Sequence, residues 1–406
     1  MKKGFTIAAG LAALALTLSA CSNAAVTTGT ATGKASEGIS DKKVITIAES
    51  SPESGPGASA AAYTAGLKAS LGYLNKQGGL SGYTFNVTTV DNQGNAAGGA
   101  SAIRQILQTK PFAVVIDGSA SFQASVDIIK TQDPALPTIG LGNAQIIHDA
   151  QLQNAFGLFS NYTRECYMQV DYAVKNLGLS NLALVYEDSP TGQGPAANCP
   201  AYAAKEGVKT FKSYAVPPPA VSTNYDSIAA QIQQQQPQLA LFFGSNGEMV
   251  GLQKASYNLG SQAKWIGFAP SYDITYLQLA GPAAIGTYFD VFQQPVNSDT
   301  PEAKLFNKVM ATAAPNAANS AGGYGWSYGF IITQAVKNAL KANKGVLSQA
   351  GFATAMKAMK TGPIGLLYST DFTIDPSTSI SELNIYQVTG TGLNLVGKNL
   401  PIPAAQ

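Results

Sequence analysis

Short runs of β-branched and aromatic residues alternate with segments of helical periodicity along most of the chain. The pattern predicts a strand at Val44–Ala48, a helix at Ala60–Gln77 ended by Gly78-Gly79, a strand at Phe85–Val90 and a helix at Ala97–Thr109. A strand at Phe112–Ile116, a helix at Phe122–Thr131 and a strand at Pro137–Leu141 follow. The pattern then restarts. Helices are expected at Arg164–Asn176, Ala197–Glu206, Tyr225–Gln235 and Gly247–Asn258, with strands at Leu182–Tyr186, Lys209–Tyr214, Leu239–Phe243 and Trp265–Phe268 between and after them. After Tyr288–Phe292 come helices at Thr300–Ala313 and Ser327–Asn343, then β-like segments at Asp371–Ile374 and Leu383–Val388 that return to complete each lobe. Alternation of this kind specifies an α/β protein with doubly wound parallel sheets, formed twice in succession.

The N-terminus does not fit that pattern. Lys2 and Lys3 precede an apolar run, Phe5–Leu18, of about 14 residues, short of the ~20 that span a bilayer. Residues 1–20 therefore read as a secretory signal. Leu18-Ser19-Ala20-Cys21 resembles a lipobox, which makes Cys21 a lipidated mature N-terminus; the alternative is ordinary secretion with a free Cys21. Acyl chains contribute about 0.8 kcal/mol per buried CH₂, so two or more hold a protein at the membrane surface. Residues 21–43 are mostly small and polar, with no apolar period after the cysteine, and read as a flexible tether.

Composition narrows the partners. Net charge is +2 and charged residues make up 12% of the chain, about half the usual ~25%. No basic run or aromatic-basic stripe is present, so nucleic acid is not an expected partner. With Cys21 assigned to lipid, Cys166 and Cys199 form an even pair in an oxidising compartment, and a disulfide is favoured over two buried thiols. One histidine and two cysteines do not make a usual zinc set, and no phosphate-binding glycine loop appears; neither metal nor cofactor is expected. Gly325-Trp326-Ser327-Tyr328-Gly329 matches the GxSxG nucleophile elbow. Ala311–Gly323 reads as a small-residue loop where an elbow needs a strand, and His148 precedes the serine, so no enzyme is expected; His148 reads as a surface or capping residue.

Ser54-Gly55-Pro56, Gly66, Leu74-Asn75-Lys76-Gln77-Gly78-Gly79-Leu80-Ser81-Gly82 and Val90-Asp91-Asn92-Gln93 are similar to the N-terminal signature of the leucine/isoleucine/valine-binding family of periplasmic binding proteins. The likeness continues through Val115–Ser121, Leu184–Gly194 and Leu241–Met249 to Tyr324–Leu340, covering nearly the whole mature chain in order. The resemblance implies a Venus-flytrap (type I periplasmic binding protein) architecture: two lobes joined by three crossovers near 160–163, 287–292 and 364–370. It places 44–161 plus 290–366 in the N-terminal lobe and 162–289 plus 367–406 in the C-terminal lobe. It implies capture of a small amino acid, carboxylate or amide, and delivery to ABC permease and ATPase subunits. A ligand-sensing subunit of a signalling receptor is the alternative, since one fold serves both roles.

Ligands of doubly wound sheets bind beyond the C-terminal ends of the strands. Ile116–Ser121 is such a junction, contributing Ser119, Ala120 and Ser121; the serines serve equally well as helix caps, and the resemblance assigns Ser119 to a ligand carboxylate. Gly142 and Asn143 align with a second anchoring segment, although Ala144 stands where the family has a threonine. In the second lobe Thr191 replaces a tyrosine, Asn246 falls near another, and Ala269 stands where an acid meets the ligand ammonium. Glu187, Asp188, Glu248 and Asp273 are then the expected carboxylates from that lobe, Glu248 being placed to face solvent or pair locally. Tyr162 and Tyr272 are candidates both for packing and for ligand contact.

Overall fold

The computed structural model describes residues 37–55, 58–218, 224–272, 274–390 and 392–403. The signal segment, Cys21, most of the tether and Asp273 lie outside the described residues. Two sheets organise the molecule. The first contains β1 (Val44–Ser51), β2 (Thr84–Asp91), β3 (Ala113–Asp117), β4 (Thr138–Leu141) and β5 (Ala155–Gly157) in the order β2-β1-β3-β4-β5, every pair parallel. Its connections are α1 (Ala61–Lys76), α2 (Ala96–Gln108), α3 (Ser119–Gln132) and α4 (Ala144–Asp149).

Strand parity decides which side chains each face buries. Ile45, Ile47 and Val115 point into a core shared with Leu67 of α1 and, further along the chain, Tyr328 and Ile331. Ala48, Val114 and Ile116 point the other way, onto Ile103 and Ile106 of α2 and Phe122 of α3. Burial on both faces is why these strands read as continuous apolar runs.

The chain leaves the first sheet through α5 (Tyr162–Asp171), which continues as a π-helical turn over Tyr172–Asn176. The second sheet is built from β6 (Asn181–Glu187), β7 (Thr210–Val216), β8 (Leu239–Phe243), β9 (Lys264–Gly267) and β10 (Tyr288–Val291), connected by α6 (Gln193–Lys205), α7 (Asp226–Gln235), α8 (Asn246–Asn258) and α9 (Ile274–Ala280). These five strands are parallel. Then come α10 (Pro301–Ala313), α11 (Ser320–Ala342), α12 (Gln349–Lys357) and a two-stranded ladder of β11 (Lys360–Thr361) and β12 (Thr370–Asp371). A hairpin of β13 (Glu382–Thr389) and β14 (Gly392–Pro401) adds antiparallel to β10, giving the order β14-β13-β10-β9-β8-β6-β7.

Several expectations need correction. Tyr288–Val291 pairs entirely within the second sheet, so residues 290 and 291 do not open the return to the first lobe. The last return is also later than expected: Gly157 N–H donates to Pro376 O (2.9 Å) and Ser379 N–H donates to Gly157 O (3.0 Å), which holds residues 376–379 on the edge of the first sheet. Pairing with the second sheet begins at Glu382. Segments 292–294 and 366–368 do run side by side between the sheets, through Tyr368 N–H to Phe292 O (3.2 Å) and Gln294 N–H to Leu366 O (2.9 Å).

The stretch expected to be a loop before Ser327 contains the end of α10, a 3-10 turn at Pro315–Ala317, and the start of α11 at Ser320, capped by Asn319 Oδ1 on Gly322 N–H (2.9 Å). Gly325 and Gly329 let α11 approach α1 so closely that a Cβ would collide with Tyr63 O for Gly325 and Ser70 Oγ for Gly329, and Gly66 of α1 reciprocates against Gly322 O; Gly322 itself packs on Ala317 O of the preceding 3-10 turn. The GxSxG glycines are thus packing glycines. Ser327 is buried in mid-helix, donating to Gly323 O (2.8 Å) and accepting from Leu366 N–H (2.8 Å), while Trp326 and Tyr328 are buried.

Cys166 of α5 and Cys199 of α6 are joined in a disulfide, Cα atoms 6.2 Å apart, with both cysteines buried. Beside it Tyr167 and Tyr202 stack at 4.2 Å and 9°. Among the described residues no helix is long and apolar enough to cross a membrane, and no group of three His, Cys, Asp or Glu is placed to hold a metal ion.

Candidate functional site

The C-terminal edges of the two sheets face each other. Gly194, at the start of α6, lies so close to the other edge that a Cβ there would stand 2.7 Å from Thr163 Oγ1 and 3.7 Å from Asn143 Nδ2. Tyr162, at the start of α5, packs edge-on against Phe268 after β9 (4.9 Å, 86°). Doubly wound sheets bind ligands at this edge, so the space between the two edges is the candidate site.

On the first wall, β3 turns into α3 through Gly118 at φ +92°, a left-handed conformation that glycine adopts without strain. Ser119 is the first helical residue, and its Oγ accepts the Asn143 N–H (3.0 Å). Gly142 allows this approach, since a Cβ there would lie 2.9 Å from Ser119 Oγ. Ser119, Gly142 and Asn143 are therefore brought together as expected, with the Ser119 hydroxyl hydrogen left to donate. Asn143 is more engaged than its sequence position suggested. Its Oδ1 caps α4 at Gln145 N–H (3.1 Å) and receives Tyr162 N–H (3.3 Å). Ala144, where the family has a threonine, opens the unforeseen helix α4. Ala120 is half-buried, and the Ser121 hydroxyl is directed away, donating to Asn95 O (3.2 Å).

On the second wall, Thr191 is half-buried and its N–H donates to Ser189 Oγ (3.2 Å). Asn246 Nδ2 donates to Ser271 O (3.0 Å), and the Tyr272 ring packs on Phe289 (5.2 Å). Glu248 is buried, so it does not face solvent; it forms a capping box with Ser245, accepting Ser245 N–H at 2.7 Å. Burial and the neighbouring Glu187 charge push its carboxyl up to about 8.

Other acids reach the site from positions that were not expected. Ala269 carries no acid, but its N–H donates to Glu165 Oε1 (3.1 Å) from α5. Ser160 Oγ donates to Glu165 Oε2, and Gln169 Nε2 donates to Asp290 Oδ2 (2.8 Å). Burial, then the Glu165 charge, raises Asp290 well above the ordinary carboxylate range. This cluster straps α5 to β10 and to the turn after β9.

On the opposite side Glu49 and Asp117 end β1 and β3. Burial pushes Glu49 up to about 7, and burial followed by the Glu49 charge pushes Asp117 well above its usual range. Asp117 lies in the field of Tyr162 and Tyr328, and Phe159 packs edge-on against Tyr63 and Tyr324 (6.0 and 5.7 Å). The sequence did carry a signal for them: 45, 47, 49 and 113, 115, 117 share one strand parity, so both acids continue a buried face.

A family model described as periplasmic binding protein matches residues 44–392. No curated protein matches the chain. Among solved structures, a branched-chain amino acid ABC transporter protein from Thermus thermophilus with bound valine is 19% identical (TM-score 0.80, covering 90% of this chain and 97% of that one). A fatty acid ABC transporter substrate-binding protein from Thermomonospora curvata is 17% identical (TM-score 0.78, 91% and 97%). A solute-binding protein of an R. palustris ABC transporter in complex with benzoate is 19% identical (TM-score 0.76, 89% and 98%). At these identities the likeness establishes a shared fold.

Proposed function

The chain belongs to the periplasmic binding protein family, and from that premise we propose that it is an extracytoplasmic solute-binding lipoprotein that captures a small polar molecule between its two lobes and delivers it to an ABC importer. The observation that carries this reading is the meeting of two sheet C-terminal edges around Ser119, Asn143, Tyr162 and Gly194. Closure of one edge on the other encloses a ligand and gives a partner a distinct closed form to recognise. Permease and ATPase subunits supply the energy coupling. Cys21 supplies the membrane anchor, and the tether lets the lobes stand off the bilayer.

Within the site, the Ser119 hydroxyl and the α3 N-terminus contact the ligand from the first lobe together with Ala120, Ser121, Gly142 and Asn143. Tyr162, Thr191, Asn246 and Tyr272 complete the enclosure. Related folds carry valine, fatty acid and benzoate according to their descriptions, so the architecture is compatible with several ligand chemistries. Native mass spectrometry of the freshly purified full chain tests the reading. A stoichiometric small molecule that leaves on urea treatment, rebinds after refolding and is chemically unchanged supports it; turnover of that molecule, or no binding of any small solute, refutes it.

A further inference from the structure

Two carboxyl groups near the C-terminal edge of the first sheet carry buried oxygens without a hydrogen-bond partner. Neither oxygen of Glu49 is placed to make a hydrogen bond, although the Thr64 hydroxyl is close enough to favour its ionised form; Asp117 Oδ2 makes none, while the Gly118 N–H supports its carboxyl; Glu49 is fully buried and Asp117 is 5% exposed. In the β1–β3 register Glu49 lies opposite Val115, so parity puts Asp117 on the same face one step further toward the edge. A second, independent feature faces this space. Tyr328 of α11 is fully buried (0% exposed), and its hydroxyl makes no hydrogen bond. Tyr328 lies in the field of Asp117 and Tyr162. Buried groups of this kind are rare without a partner.

Glu165, Asp290 and Glu248 each have a partner within the protein, although Asp290 Oδ1 and Glu248 Oε1 make no hydrogen bond. Glu165 receives Ala269 N–H and the Ser160 hydroxyl, Asp290 is held by Gln169, and Glu248 caps α8. Among the described residues only the Glu49–Asp117 pair combines two neighbouring carboxyls with three unpartnered oxygens. An ammonium offers three donors and a guanidinium five, with a positive charge that removes the repulsion between two ionised acids.

We propose that Glu49 and Asp117, with the Tyr328 hydroxyl, form the subsite that receives an ammonium or guanidinium group of the ligand on the first-lobe wall. The inference rests on the solute-binding reading above and specifies the ligand class for that site. It also accounts for Ala269: the acid missing from the second wall is replaced by a pair on the first. The groups acting on the pair are Thr64 and Lys68 of α1, Glu53 beyond β1, and Tyr162 and Tyr328. Lys68 is exposed and acts on Glu49 through its charge. With the pair partly protonated in the empty site, capture of a cation releases protons.

The test uses the full chain and the compound it carries when freshly purified, identified by native mass spectrometry. Affinities for that compound and for agmatine, putrescine, leucine and benzoate are measured by calorimetry on urea-stripped, refolded protein, for the wild type, Glu49→Gln and Asp117→Asn. Circular dichroism checks folding of each variant, and the two substitutions are independent of one another. The expected result is a tightest binder that carries an ammonium or guanidinium group. Its affinity drops at least tenfold in each folded variant, and net proton release is seen on comparing buffers of different ionisation enthalpy. A tightest binder without such a group overturns the inference, as does a cationic binder whose affinity stays within threefold in the variants; both leave the solute-binding reading standing. No co-purified compound together with no binding of any probe overturns both.

Discussion

Glu49 makes the empty protein's stability depend on pH in a way that can be calculated. Burial raises its carboxyl from 4.5 to about 7, partly offset by Thr64 and Lys68. In the unfolded chain the group titrates near its ordinary value, so between the two values the folded state holds a proton that the unfolded state has released. Stability from this group is therefore fully present below about pH 4.5 and is lost as pH rises through about 7. At about 1.4 kcal/mol per unit, the loss is about 3 kcal/mol. Glu49→Gln keeps the shape and cannot ionise, so it matches the wild type near pH 4.5 and is more stable by about 3 kcal/mol at pH 8. Urea unfolding of ligand-free protein at pH 4.5, 6 and 8 measures the difference. Parallel stability–pH curves for the wild type and Glu49→Gln would refute the assignment of a dry, unpartnered carboxyl at this position.

The remaining predictions concern the disulfide, the first-lobe serine and the anchor. Replacing both Cys166 and Cys199 with Ala opens a loop spanning 33 residues in sequence and lowers stability by about 3–4 kcal/mol; an unchanged urea midpoint contradicts this. Thiol titration of the denatured, unreduced chain finds neither cysteine reactive. Ser119→Ala strands the buried Asn143 N–H, lowering stability by about 1–3 kcal/mol, and weakens binding of the co-purified ligand by about 0.5–1.5 kcal/mol; calorimetry showing unchanged affinity removes Ser119 from the site. Cys21→Ser releases the protein from the membrane fraction with unchanged unfolding, since the first sheet starts only at Val44; protein that stays membrane-bound after a salt wash removes the lipid anchor.

The alternation of elements was legible because parallel strands buried on both faces must be apolar runs, as in Ala113–Asp117 and Leu239–Phe243. What stayed hidden was fixed by contacts between distant segments. Ala144–Asp149 and Ala155–Gly157 are too short to show a period, and β5 is defined by pairing with β4 and by the later segment that donates from Ser379. The first turns of α11 resembled a loop because Gly322, Gly323 and Gly325 are poor helix formers. The close approach of α1 to Gly325, of Ala317 to Gly322 and of Leu366 and Val296 to Gly323 favours small residues there, so packing overrides local propensity. The lobe boundaries shifted for a similar reason: residues 376–379 follow hydrogen bonds to Gly157 and Phe159, which no local pattern announces.

The site divides along the same line. Ser119, Gly142 and Asn143 could be proposed from a resemblance because a β-strand, a tight turn and a helix N-terminus have a local signature, and in the structure they are neighbours. The acids have no local motif, and the one signal for Glu49 and Asp117 is the strand parity they share with a buried face. Glu165 looks like an ordinary first-turn helix acid until Ala269 N–H and the Ser160 hydroxyl converge on it, and Glu49 looks like an exposed strand end until α1 and α11 cover it. For Glu49 and Asp117 the informative feature is an ionisable group on an inward strand parity with unpartnered oxygens, which the packed neighbours reveal. Glu165 has its partners within the protein and acts as a strap. Glu49 and Asp117 do not, so the same chemistry that fixes the fold on one side of the cleft is left open to a ligand on the other.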